Sequence, residues 1–246
     1  MQTRTPEDIR TIVVEHPKLR ARDLADKFDI REAQLLAAYQ GMGVTRIDAH
    51  PDTIMGLAKE LGEVMALTRN ASCVHEKVGL YEEYHTGEHA CMVLGEAVDL
   101  RMFPKHWQTA FLHEKEIEGG LQRSVQVFDA SGDAVHKIYL REGSNLAAWE
   151  RAKTDLGLAD AAATLDVADR VPVEAAKAVP EKVDVLRKEW ARLTDTHQFL
   201  RLCSKLKMNR LGAYRIAGDP FVRPLATGAV DDMLHKLSAE GTEVML

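Results

Sequence analysis

The hydrophobic pattern of residues 62–142 has a period of two, which restricts the fold more than any other feature of the chain. The segments that alternate or run apolar are EVMALT, CVHEKVGLYEEYH, HACMVLG and VDLRMF, and the turns between them are RNAS, HTGE and GEA. Because successive side chains of a strand point to opposite faces, this pattern predicts antiparallel strands joined by short turns. Residues 123–140, RSVQVFDASGDAVHKIYL, predict a hairpin with DASGD as its turn.

The segments on either side of this sheet have the helical period instead. Residues 1–61 predict helices before the sheet, and residues 145–157 predict one helix after it. Together with the sheet they would form a first unit, residues 1–157. We therefore predict an α+β fold class, with a helical subdomain plus an antiparallel β-sheet.

The second part of the chain starts with a segment of biased composition. Residues 158–182 are rich in alanine and acidic residues and contain two prolines, which predicts a linker. Residues 183–246 then predict helices again, because Val183, Leu186 and Trp190 recur at helical spacing.

A weak internal repeat connects the two helical regions. Aligning residues 23–39 with residues 201–217 superimposes their apolar positions, although Leu24 and Lys27 are the only identities. A shared helical period alone could produce this match. The alignment continues, with a slip of one or two residues, from GEVMAL (62–67) to GTEVML (241–246). If the repeat is real, the second unit is incomplete: its helices are present and its sheet is missing.

Composition and charge argue against two classes of partner. The net charge of −6 does not favour nucleic-acid binding, which usually needs a basic surface. Residues 19–44 have the rhythm of a helix-turn-helix, but the helix at 31–39 carries no basic cluster, so we predict a packing role for it. No apolar run is long enough to span a bilayer, so we expect no membrane insertion.

The cysteines and the amino terminus indicate where the protein resides. Cys73, Cys91 and Cys203 are odd in number, far apart and without the spacing of metal ligands, which favours reduced thiols. The first residues, MQTRTPEDIR, have no apolar region typical of a secretory signal. We therefore expect a cytoplasmic protein.

Two histidines, His85 and His89, are four residues apart in YHTGEHA. On a helix this spacing could bind zinc, but the flanking strand pattern and the Thr-Gly pair indicate a hairpin turn. No third ligand with suitable spacing follows, so we predict a solvated turn.

A third histidine, His197, lies in WARLTDTHQFLRL (190–202). With Thr194 or Asp195 as N-cap, it falls in the first turn of a helix. Helical spacing places it opposite the apolar face, which consists of Phe199, Leu202, Cys203 and Leu206. The helix dipole disfavours a charged imidazole there, and the neutral ring is the form that binds iron. Two interpretations stay open: a solvated surface histidine, or a ligand directed at something outside this helical unit.

Arg101 shares its predicted strand face with Asp99 and Phe103, because the three alternate along VDLRMF (98–103). The arginine could form an ordinary surface ion pair with Asp99. It could equally cover a flat, anionic, apolar ligand. Periodicity does not choose between these.

Three long segments resemble the haemin-degrading factor family, the HemS-type cytoplasmic haem-handling (haemin transport) proteins of bacterial haem uptake. They are EKVGLYEEYHTGEHACMVLGEAVDLRMFPKHW (76–107), SVQVFDASGDAVHKIYLREGSN (124–145) and DTHQFLRLCSKLKMNRLGAYRIAG (195–218). The resemblance implies a pseudo-symmetric protein with helices and an antiparallel sheet in each half and haem between the halves. The resemblance also implies that family members continue for about a hundred further residues, a span estimated from the sheet region of the first repeat.

The resemblance also implies roles for four residues and a cofactor, haem b, as ligand or substrate. His197 matches the axial ligand of the haem iron. Arg101 matches a distal arginine, which could act catalytically by hydrogen-bonding water or oxygen on that side. Phe103 would line the distal pocket, and Arg210 would bind a haem propionate. These residue types suit the chemistry, since imidazole binds iron and guanidinium binds carboxylate.

The implied function is cytoplasmic haem binding and trafficking after haem uptake, together with oxidative haem degradation and iron release if the protein is an enzyme. One alternative is a non-enzymatic carrier that delivers haem to a separate oxygenase. Another is a haem-free helical interaction module, if the shortened second repeat abolishes the cleft. The implied partners are haem, a haem-uptake ABC transporter, a haem oxygenase and a second copy of the chain, since missing strands would leave apolar surface uncovered.

Overall fold

The computed structural model describes residues 4–244 of the chain. It consists of two compact units, Met1–Arg170 and Val171–Leu246. Helices and antiparallel strands together give the α+β class that the sequence predicts. Among the described helices, none combines the length and the apolar composition that crossing a membrane would require.

The helices of the first unit lie on both sides of its strands in the sequence. They are α1 (Pro6–Glu15), α2 (Ala21–Phe28), α3 (Glu32–Ala37), α4 (Pro51–Leu61) and α5 (Leu146–Asp155). Helix α1 begins with a capping box, in which Thr5 and Asp8 each satisfy the backbone amide of the other. Helix α3, the candidate recognition helix, buries most of its residues, in accord with the packing role predicted for it.

The strands of the first unit form two antiparallel sheets rather than one. They are β1 (Val44–Ile47), β2 (Val64–Arg69), β3 (Val74–Gly79), β4 (Glu83–His85), β5 (Cys91–Leu94), β6 (Leu100–Met102), β7 (Thr109–Ile117), β8 (Gly120–Phe128) and β9 (Ala134–Leu140). The six-stranded sheet has the order β1-β7-β8-β9-β2-β3, and the three-stranded sheet has the order β4-β5-β6. Alternation along the sequence predicts strands but does not say which of them are neighbours.

Two strands depart from the sequence prediction. Strand β1 lies within the region predicted to be helical, where its four residues pair with β7 along the edge of the larger sheet. Strand β7 escapes the period-two pattern because Ala110, Phe111 and Leu112 are buried in succession. Leu112 faces the main core, whereas Phe111 packs with the cluster around α3, so both faces of this segment are apolar.

The main core of the first unit covers one face of the six-stranded sheet. Leu112, Val125 and Ile138 form a cross-strand row on that face, and all three are almost completely inaccessible to solvent. Residues of α4, α5 and the three-stranded sheet complete the cluster, with Trp149 of α5 as its largest fully buried side chain. Burying this apolar surface is the main stabilising contribution to the unit.

The second unit is helical. Its helices are α6 (Val183–Trp190), α7 (Gln198–Leu206), α8 (Arg210–Ala217) and α9 (Ala229–Glu240). Its core contains Leu186 of α6 and the apolar face of α7, which is the set of four residues that the helical spacing predicts. Helix α9 has no buried residues.

The backbone supports the internal repeat. Among the described non-glycine residues, Asp29 and Lys207 are the two with positive φ, 51° and 62°. They occupy equivalent positions in the alignment of 23–39 with 201–217, and each ends the first helix of its pair in the left-handed conformation. The following amide bonds back in the same way, from Ile30 to Ala25 and from Met208 to Cys203, both at 2.9 Å. The segment 241–246 of the alignment lies partly outside the described residues.

The segment predicted as a linker, residues 158–182, is hydrogen-bonded within both units. In the first unit the amide of Ala168 donates to the carbonyl of Ala130 at 2.8 Å, and Gln34 donates to the carbonyl of Leu165 at 3.1 Å. In the second unit the amide of Lys177 donates to the side chain of Asn209 at 3.0 Å. Composition does not reveal these bonds, because most of them involve the backbone of the segment.

Candidate functional site

A groove of about 590 Å³ opens on the second unit, where α7 begins. We refer to it as the His197 groove. Its lining residues come from the end of α6, the turn before α7 and the starts of α7 and α8: Trp190, Leu193, Thr194, Asp195, Thr196, His197, Phe199, Leu200, Arg210 and Tyr214. The groove brings His197 and Arg210 together, two of the four residues that the sequence marked as binding residues.

His197 is the N-cap of α7 rather than a residue of its first turn. Helix α7 therefore begins further along the chain than it would if Thr194 or Asp195 were its N-cap, as predicted. In the preceding turn, Thr194 and Gln198 exchange two hydrogen bonds of 3.2 and 3.1 Å. The side chain of His197 is 75% exposed, as its position opposite the apolar face of α7 predicts.

Asp195 holds the ring of His197. One of its carboxylate oxygens accepts hydrogen bonds from the backbone amide of His197 at 2.7 Å and from Nδ1 of its ring at 2.8 Å. These two bonds, the backbone one first, keep the pKa of Asp195 below its usual range, so the carboxylate is charged at neutral pH. An ionised carboxylate only accepts, so Nδ1 carries a proton, and in the neutral form of the ring the lone pair lies on Nε2. Ligand histidines of metal sites are oriented in this way.

Aromatic rings form one wall of the groove. The centroids of Trp190 and Phe199 are 4.3 Å apart, and those of Phe199 and Tyr214 are 5.4 Å apart with the ring planes within 5° of parallel. Trp190 and Tyr214 are also neighbours, at 6.0 Å. Such a wall offers apolar ring surface to an aromatic ligand.

Arg210 supplies positive charge to the groove. It is the first residue of α8 and is exposed, while Asn209 caps the helix by accepting a hydrogen bond from the amide of Gly212 at 2.8 Å. Within residues 4–244, no carboxylate lies close enough to Arg210 to form an ion pair. Its guanidinium is therefore available to an anionic ligand group.

Arg101 and Phe103 lie in the first unit, on the outer side of the three-stranded sheet. Met102 between them is buried in the core, whereas Arg101 and Phe103 are exposed, as the alternation predicts. Phe103 is 45% exposed. Among the described residues, Arg101 forms no ion pair with Asp99, and instead its Nη2 lies 3.6 Å from the sulfur of Met92. The surface ion pair with Asp99, which was one of the two interpretations of Arg101, is therefore absent from the structure.

The register of this sheet reveals a row that the sequence did not predict. His85 is paired with Met92, and Met92 is paired with Arg101, so the three side chains share the outer face. His85 and His89 are both exposed, as a solvated turn requires. In the part of the chain that the structure describes, no three histidine, cysteine or acidic side chains come together as a metal site would need.

Among the contributors to the His197 groove that sequence reasoning missed, Asp195 and Tyr214 left a local signal in the sequence. The spacing of Asp195 and His197 allows the carboxylate to reach the ring, but only the turn conformation shows that it does so. Tyr214 follows Arg210 by four residues on α8, and residues at this spacing share a helix face. That spacing is the signal that could have added Tyr214 to the site.

Comparison with known proteins gives a consistent result. A family model for the haemin-degrading HemS.ChuX domain matches residues 29–156, more than half of the chain. The hemin transport protein HmuS of Yersinia pestis is 33% identical over 235 residues, which cover 94% of this chain and 67% of HmuS.

Two solved structures share the fold over nearly the whole chain. One is holo-PhuS, a heme-binding protein from Pseudomonas aeruginosa, with a TM-score of 0.87, 34% identity, and coverage of 96% of this chain and 70% of PhuS. The other is ChuS, an E. coli heme oxygenase, with a TM-score of 0.80, 28% identity, and coverage of 95% and 69%. With the domain match and the relative in HmuS, the chain belongs to the family defined by the haemin-degrading HemS.ChuX domain.

Proposed function

We propose that this protein binds haem b through His197 and passes it on as cargo. The observation that carries the proposal is the pairing of Asp195 with Nδ1 of His197, which orients an exposed side chain so that Nε2 is the ring nitrogen left to bind iron. A neutral imidazole nitrogen is a common axial ligand of haem iron.

The other lining residues fit the remaining parts of haem. The macrocycle is aromatic and apolar, and Trp190, Phe199 and Tyr214 provide an aromatic, apolar wall. The propionates are carboxylates, and the guanidinium of Arg210 suits them. The names of two relatives support the same ligand, since PhuS is described as a heme-binding protein and HmuS as a hemin transport protein.

The exposure of His197 supports delivery of haem rather than permanent retention. His197 is mostly accessible to solvent, so an acceptor protein could approach the iron ligand directly. We propose that this takes place in the cytoplasm, with haem received after uptake by an ABC transporter and passed to a haem oxygenase. We also propose that two copies of the chain form a homodimer.

Arg101 and Phe103 receive their roles from the family resemblance. We propose that both act on the distal side of the haem, with Arg101 donating hydrogen bonds and Phe103 contacting the macrocycle. Their exposure on the outer side of the three-stranded sheet makes them accessible to a ligand. The contact of Arg101 with the sulfur of Met92 is weak, so the guanidinium can exchange it for a stronger acceptor.

Oxidative haem degradation with iron release is a second candidate function. The guanidinium of Arg101, which has no carboxylate partner within residues 4–244, favours it, because a charged donor on the distal side can stabilise developing negative charge. The description of ChuS as a heme oxygenase supports it as well. Haem itself would supply the redox chemistry, and the protein would supply position and electrostatics.

Haem titration with matched variants tests the binding proposal. The wild type should give a saturable Soret shift at one haem per chain, and His197→Ala should lose it. His235→Ala is the matched control, because His235 is also exposed on the second unit and lies 3.6 Å from a carboxylate, that of Asp231, but not in the groove. An unshifted Soret band in the wild type would instead favour a haem-free interaction module.

Turnover separates carriage from degradation. The haem complex is incubated with ascorbate and catalase, and the Soret band and released iron are followed. A carrier should keep its haem under these conditions and transfer it to apomyoglobin. Loss of the Soret band with iron release, reduced in Arg101→Met, would establish the degrading function instead.

A further inference from the structure

The six-stranded sheet has a polar face that is largely buried. On this face the register pairs Gln126 with Lys137 and Ser124 with Tyr139. Antiparallel sheets commonly leave their polar face in water. Here Ser124, Gln126 and Lys137 are each no more than 7% exposed. The polar groups are therefore part of an enclosed structure and not of an ordinary solvated face.

The hydrogen bond from Gln126 determines which ring nitrogen of His113 carries the proton. The side-chain nitrogen of Gln126 lies 3.0 Å from Oγ of Ser124 and 3.2 Å from Nδ1 of His113. Because an amide nitrogen only donates, Nδ1 is the acceptor and the ring proton is on Nε2. Burial, with Lys115 adding to the effect, lowers the pKa of His113 to about 4, so the ring is neutral at pH 7. His113 therefore presents a fixed N–H donor.

A trough runs between this sheet face and helices α2 and α3, and it has two ends. The apolar end, about 640 Å³, and the cationic end, about 390 Å³, share Leu35, Leu36, His113 and Lys115 among their lining residues. His113 and Lys115 alternate on β7, so they stand together where the two ends meet. The trough has no lining residue in common with the His197 groove.

The apolar end has the size and lining of a small-molecule site. Most of its lining side chains are apolar: Val13, Pro17, Leu19, Ala21, Leu24, Leu35, Leu36, Met42 and Leu121. Met42 is 60% exposed and Leu121 is 41% exposed, so large apolar side chains remain accessible on its lining. Such a lining suits an alkyl chain.

The side chains that line the cationic end carry a net positive charge, whereas the protein as a whole has a net charge of −6. The five cationic side chains of this end are Arg20, Arg22, Arg69, Lys115 and Lys137, and its three carboxylates are Asp23, Glu32 and Glu76. Glu32 is already bound by Arg69 and by Lys137, the latter at 2.9 Å. Lys115 is exposed and has no carboxylate partner within residues 4–244, so it is free to bind an anion.

We infer that the trough binds an amphipathic carboxylate of the fatty-acid class. The alkyl chain would occupy the apolar end, and the carboxylate would accept hydrogen bonds from Nζ of Lys115 and Nε2 of His113. Both ends of the ligand then have a matching surface, since apolar side chains meet the chain and donors meet the charge.

Calorimetric titration with dodecanoate, kept below its micelle concentration, tests the inference. The wild type should bind one dodecanoate per chain, and affinity should rise about fourfold for each methylene from octanoate to dodecanoate. Lys115→Met should weaken dodecanoate about tenfold but leave dodecanol unaffected, because only the carboxylate uses the lysine. Leu121→Glu should weaken both ligands.

Lys77→Met is the matched control, because Lys77 is an exposed lysine of the same sheet that does not line the trough. It should bind dodecanoate like the wild type. Both Lys115 and Leu121 are exposed, so the variants should keep the fold, which circular dichroism checks. Absence of saturable binding, equal loss in Lys77→Met and Lys115→Met, or an unchanged affinity in Lys115→Met would overturn the inference.

Discussion

Asp195 and His197 are joined twice, through the backbone amide at 2.7 Å and through ring Nδ1 at 2.8 Å, both to the same carboxylate oxygen. The turn before α7 thereby fixes both the backbone and the ring of the proposed iron ligand. The pair is exposed, so its effect should appear in ligand binding much more than in folding.

Replacing Asp195 should therefore weaken haem binding. We expect Asp195→Ala to lower haem affinity about tenfold, because an unsupported ligand histidine is less basic and less oriented. Asp195→Asn should have a smaller effect, since its amide oxygen can still accept from Nδ1. The iron–histidine stretching band of the ferrous complex should shift in both. Asp231→Ala on α9 is the control, and wild-type affinity in Asp195→Ala would contradict the prediction.

Arg210 should act on the propionates alone. Arg210→Met should weaken haem binding about tenfold, as expected for loss of one charge-assisted hydrogen bond. With haem dimethyl ester, whose propionates are uncharged, the wild type and the variant should bind equally. Arg215→Met, an exposed arginine further along α8, serves as the control. A defect of Arg210→Met that persists with the ester would exclude the propionate role.

The stability of the first unit should fall in acid because of His136. Burial lowers the pKa of His136 to about 4, while Thr68 and Tyr81 bind its two nitrogens at 2.8 and 2.6 Å. Between pH 6.5 and pH 4, His136 becomes protonated in the unfolded chain but stays neutral in the folded protein. Stability is therefore full above pH 6.5 and falls on acidification, by roughly 3 kcal/mol at pH 4.

His136→Gln tests this dependence by urea unfolding at pH 7 and pH 4, followed through Trp107, whose ring stacks on His136. The variant should lose roughly 3 kcal/mol less than the wild type over this interval. It should still lose some stability, because burial also lowers the pKa of His113 to about 4. Equal acid sensitivity in the two proteins would show that His136 is not responsible.

Replacing Lys207, the C-cap of α7, with glycine should stabilise the second unit. Lys207 adopts the left-handed conformation, which costs an L-residue more than glycine, and its side chain is exposed. Lys207→Gly should raise the free energy of unfolding by about 0.5–1 kcal/mol. Lys205→Gly, inside α7, should lower it by about 1 kcal/mol. A loss of stability in Lys207→Gly would mean that the lysine side chain makes a contribution of its own.

The sequence predicted the strands best where one face is buried and the other is polar. It missed β1, because four residues are too few to establish a period, and it missed β7, because Phe111 and Leu112 are both buried on opposite faces. The folded state of residues 158–170 depends on bonds such as that from Ala168 to Ala130, which composition does not encode.

The site shows the same division between local and non-local information. Helical spacing was enough to place His197 opposite the core of α7, because that is a property of one helix. It was not enough to bring Arg210 into the same groove, which depends on how α6, α7 and α8 pack. The contact of Arg101 with Met92 likewise depends on the register of β5 and β6.

The aromatic wall of the His197 groove also provides an intrinsic fluorescent probe of ligand binding. Trp190 lines the groove, whereas Trp107 and Trp149 belong to the buried core of the first unit. Indole emission from Trp190 should therefore be quenched by any chromophore that settles on the wall. A Trp190→Phe variant would identify that signal. Loading and release could then be timed in solution without a label.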